Sequence, residues 1–72
     1  MTTPLERALL DAHSHDDKEA LVTLYARAAD EAVSDAEKRF FLTHAYIFAL
    51  DCGHSDAHAL KTELIRLGAE PR

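Results

Sequence analysis

The chain has 72 residues, enough for one small domain, with 13 acidic and 8 basic side chains and a formal charge of −5. A single cysteine excludes an intrachain disulfide frame, and two glycines with two prolines exclude a collagenous or low-complexity chain. The acidic balance argues against a nucleic-acid binder that works by net basic charge. Ala (13) and Leu (10) dominate while Val and Ile together number 4, so helix is favoured over strand. The expected fold is all-α, with four short helices packed as antiparallel hairpins in one domain over residues 1–72.

The first helix is expected over residues 4–13. Thr3 is its N-cap, Pro4 its first residue, and Glu6 the third position of a capping box. Its apolar face holds Leu5, Ala8, Leu9 and Ala12, and Ser14-His15 ends it. The second helix is expected over 17–33, behind an Asp cap in Asp16-Asp17-Lys18-Glu19. Leu21, Leu24, Tyr25, Ala28 and Ala32 share one face, with Thr23, Arg27, Asp30 and Glu31 opposite. The third helix, over 35–52, follows the capping box Ser34 to Glu37 and ends before Gly53. From Phe40 to Leu50 nine of eleven residues are apolar, spread over roughly 200° of the helix, so this element is expected at the centre. Phe41, Phe48 and Leu42 are its expected buried residues, with Tyr46 and Leu50 on the flank. The fourth helix, over 56–67, starts at Ser55 and buries Ala57, Leu60, Leu64 and Leu67 before Gly68.

One stripe of the third helix stands apart: Glu37, Phe40, His44, Ile47 and Asp51 at helical spacing. Small bundles bury most large apolar side chains, so helix 1 is expected to pack over Phe40 and Ile47. The competing reading makes these five residues a surface for a partner protein or a second copy of the chain, with a symmetric dimer as one form.

Two hairpins of about 34 residues each would fill almost the whole chain, a period that resembles tetratricopeptide helical hairpins. In helices 2 and 3, Leu21 and Leu24 fall where that family has Trp and Leu, and Phe41 falls at its Phe position. Tyr25 and Glu37 depart from its small-residue positions, and Ala28 stands at its Tyr position. The resemblance implies protein or peptide binding without catalysis.

The five histidines raise a metal reading, through Asp11, His13, His15 and Asp16 or through Cys52, His54 and His58. Neither group has a CxxC or HExxH spacing, so both are expected to be cap and turn residues, and no metal or cofactor is expected. Cys52 lies at a helix C-terminus, where the dipole disfavours a thiolate, so it is expected as a small apolar side chain. His44 and Asp51 are seven residues apart on one helix, too far to act together. The longest apolar run is too short to cross a bilayer, and the N-terminus has no secretory h-region, so a cytoplasmic location is expected. The expected function is a small cytoplasmic interaction or adaptor module that is not an enzyme. The alternatives are a metal-binding structural or sensor protein, or an accessory subunit of an enzyme complex.

Overall fold

The structure, a computed structural model, describes residues 3–68; residues 1–2 and 69–72 of the expected domain lie outside that range. It is all-α, with α1 (Pro4–Ser14), α2 (Lys18–Asp30), α3 (Asp35–Cys52) and α4 (Ala57–Arg66). No strand occurs among the described residues. The bounds of α3 are those expected. α2 stops three residues short of Val33, because the chain must turn before Ser34, which is extended at φ −142° and ψ 159°. Val33 sits in that turn and is 91% exposed.

The caps explain where each helix begins. Thr3 Oγ1 accepts the Glu6 amide at 3.1 Å, and Ser34 Oγ accepts the Glu37 amide at 3.2 Å. The two adjacent aspartates divide their work. Asp17 caps α2 by accepting the Ala20 amide at 3.2 Å. Asp16 instead takes a left-handed conformation, φ +50°, at the end of α1. Its amide reaches the His13 carbonyl at 3.2 Å, and the Asp17 amide reaches Ala12 at 2.9 Å. That pair of bonds is a Schellman closure, so Asp17 ends one helix with its amide and starts the next with its carboxylate. Gly53 closes α3 in the same way at φ +66°, with the His54 amide bonded to Ala49 at 2.8 Å. The α4 start differs from expectation. Asp56, not Ser55, is at the cap position and makes no side-chain cap bond. His54 Nδ1 accepts the Asp56 amide at 3.0 Å, which holds the cap residue itself in place ahead of the first turn.

These joints predict opposite effects. A Cβ at Gly53 would meet nothing within 4 Å, so Gly53→Ala is penalised only by its left-handed backbone, about 1 kcal/mol. Asp16→Gly relieves the corresponding strain and is expected to gain about 0.5 kcal/mol. Urea midpoints moving in opposite directions for the two variants check this; shifts of the same sign would contradict it.

Packing runs in chain order. α1 packs on α2, α2 on α3 and α3 on α4, while α1–α3 and α2–α4 do not approach at the backbone. The Cα extents of 36 × 28 × 12 Å describe the resulting thin row of helices. One core joins Val22 and Ala29 of α2, Leu42, Ala45 and Ala49 of α3, and Leu60 and Leu64 of α4. Leu21 and Ala28 are buried too but lie outside that cluster, so α2 is buried on two faces rather than one.

Three expectations are corrected. Phe41 and Phe48 are half-buried, because the alanines Ala45 and Ala49 occupy the centre of the α3 contact face and the rings are displaced to its edge. Leu50 is 58% exposed and does not flank the core. Helix 1 does not cover Phe40 and Ile47, which are 56% and 50% exposed. Its narrow apolar face is taken up by α2, and α1 reaches α3 through the ring contact of His13 on Phe48, with centroids 5.8 Å apart.

Candidate functional site

The exposed side of α3 carries the candidate surface. Glu37, Phe40, Ile47 and Asp51 are all exposed, and His44 is half-buried beside them. Sequence periodicity missed Leu50, which joins the stripe three residues after Ile47. With exposed Ala36 and half-buried Thr43 added, this side reads Ala36, Phe40, Thr43, Ile47, Leu50, alternating steps of four and three. That is the spacing of a heptad seam, and it was available in the sequence once the other side of α3 had been assigned to the core. The Thr43 hydroxyl donates to the Arg39 carbonyl at 2.7 Å, so it needs no further acceptor.

The two edges of this seam differ in charge. On one edge Glu37, His44 and Asp51 recur every seven residues. Among the described residues neither carboxylate has an ion-pair partner. Glu37, in the first turn, suits the positive end of the helix. Asp51 lies near the other end, where a negative charge is unfavourable and no basic residue accompanies it. On the other edge Arg39 turns away to α4, where Nη1 donates to the Leu67 carbonyl at 3.3 Å and satisfies one of the open carbonyls at that helix end.

His44 links the stripe to the interior. Its Nδ1–H donates to the Phe40 carbonyl at 2.9 Å. Its ring lies 4.4 Å from Phe40 and stacks on Tyr25 at 5.1 Å. Tyr25 in turn stacks on Phe48 at 5.8 Å and shares a 2.8 Å hydrogen bond with His13. Aromatic side chains of α1, α2 and α3 therefore support the Phe40 end of the stripe from behind.

The metal readings find no geometry. Among the described residues no group of three or more His, Cys, Asp or Glu side chains converges to hold an ion. His54 is engaged at the α4 cap through Nδ1, and Cys52 is packed against the core. His15 Nδ1 lies 2.9 Å from the Asp11 carbonyl, 3.2 Å from the Ser14 hydroxyl and 3.5 Å from the Asp11 carboxylate. The carbonyl bond first, and the Asp11 charge second, raise its pKa above the ordinary histidine value. A raised folded pKa stabilises in full below about pH 6.5 and is lost as pH rises through the folded value. His15→Gln is therefore expected to lower the melting point more at pH 5.5 than at pH 8. An equal loss at both pH values would count against the Asp11 contact.

No protein-family model matches this chain, and no curated protein or solved structure matches it. Among the described residues, no helix is long and apolar enough to cross a membrane.

Proposed function

We propose that this chain is a cytoplasmic protein-interaction module without catalytic activity, and that the exposed stripe of α3 is its binding surface. The carrying observation is the exposure of Phe40, Ile47 and Leu50 along one line of α3. Folding alone gives no reason to keep three large apolar side chains in water at heptad spacing on an 18-residue helix. The resemblance to tetratricopeptide hairpins points in the same direction.

The test compares tagged wild type with Phe40→Glu/Ile47→Glu as bait in lysate of the native cell. Both positions are exposed, so the variant is expected to keep its helical spectrum and to melt within a few degrees of wild type. It is expected to lose the proteins that wild type retains. Their identity separates an adaptor from an accessory subunit of an enzyme. If the folded variant retains the same set, the stripe is not the binding surface.

A further inference from the structure

We infer that the occupant of the α3 stripe is an amphipathic helix of another protein, apolar along one line and bearing Lys or Arg along the edge that meets Glu37 and Asp51. This rests on the interaction reading above and names the partner's chemistry. The seam Ala36, Phe40, Thr43, Ile47, Leu50 has the four-three alternation into which a second helix sets its own side chains. The charge along its edge then selects the partner. Glu37 and Asp51 are exposed, lie fourteen residues and about 21 Å apart on the same edge, and have no cation within reach among the described residues. Asp51 opposes the dipole of its own helix, so its charge serves something other than α3. A facing helix with two basic residues fourteen positions apart neutralises both carboxylates at once.

A second copy of this chain does not have that chemistry. An antiparallel two-fold pairing of α3 sets Glu37 against Asp51 of the other copy and His44 against His44. A parallel pairing brings up the edge of Arg39, Tyr46 and Gly53. Arg39 then lies opposite His44, and neither carboxylate gains a cation. The net charge of −5 adds a general repulsion between copies.

The probes are two labelled helical peptides of about three heptads, with Leu at both seam positions. One has Lys at both flanking positions and the other Glu, so each repels its own copies. Fluorescence anisotropy at about 50 mM salt is expected to show the Lys peptide binding roughly tenfold tighter, or about 1.4 kcal/mol, with the gap closing in high salt. Glu37→Lys/Asp51→Lys should reverse the preference. Glu19→Lys/Asp30→Lys, which makes the same charge change on α2, should leave it intact. Equal binding of the two peptides, or reversal by the α2 variant as well, overturns the inference. So does a wild-type dimer in sedimentation that Phe40→Glu/Ile47→Glu disperses, because the occupant is then a second copy. If neither peptide binds while lysate capture still depends on Phe40 and Ile47, the helical partner is wrong and the interaction reading stands. If capture is also indifferent to them, both fail.

Discussion

Leu64→Ala is expected to destabilise the fold by about 3 kcal/mol, more than removal of any single aromatic ring. Leu64 is fully buried, and α4 has only Leu60 beside it in the shared core. Truncation removes apolar atoms from the point where α2, α3 and α4 meet, and the helices are too firmly seated to close the gap. For a domain of this size about 3 kcal/mol is a large part of the total, and the melting point should fall by roughly 15 °C. Phe48→Ala is the informative comparison. The ring is larger, but it is half-buried at the edge of the contact face, against Tyr25 and His13. Its loss is expected to cost about 1.5 kcal/mol, since only part of its area leaves water on folding. Urea unfolding of both variants measures the order; a larger loss from Phe48→Ala would place the core on the aromatic side of α3.

The physical reason for that order also sets how far the sequence could be read. Helix starts were legible because a cap is a local event: Thr3 and Ser34 each need only an amide three residues on. Asp16 and Asp17 are chemically alike, so local chemistry could not decide which would cap α2 and which would take the left-handed turn. The role of His54 at the α4 start has no sequence signal, because it arises from the turn after Gly53. In the core, periodicity works when a helix has one apolar face. α2 sits between two neighbours and buries Val22 and Ala29 beside Leu21 and Ala28, so one-sided counting found half of its contacts. α3 is apolar nearly all round, and there periodicity loses its meaning. Phe40 and Ile47 could be singled out as a stripe, but whether helix 1 covered them was a long-range question. Leu50 was assigned to the core flank for the same reason. The answer came from α1 packing on α2 and leaving the far side of α3 open.

The same substitution at two alanines of α3 should separate folding from binding. Ala45 is fully buried in the core cluster with Val22 and Ala29 of α2. Small residues here let the backbones of α2 and α3 approach closely, and the whole core is seated on that approach. Ala45→Leu adds three carbon atoms where no space exists, so the helices must separate or the side chain must leave its rotamer. The expected loss is about 1–3 kcal/mol, and separation of α2 from α3 would also loosen Leu42, Leu60 and Leu64. Ala36 is exposed, at the start of the seam that continues through Phe40, Ile47 and Leu50. Ala36→Leu adds the same three carbons to open solvent, and its effect on the urea midpoint should stay within about 0.5 kcal/mol. It lengthens the apolar line by one turn, so binding of the Lys-edged helical peptide should tighten. The pair is decisive when both quantities are measured on both variants. A midpoint that falls for Ala36→Leu would mean that the seam is covered in the folded chain. A midpoint unmoved by Ala45→Leu would mean that α2 and α3 do not meet through their alanines.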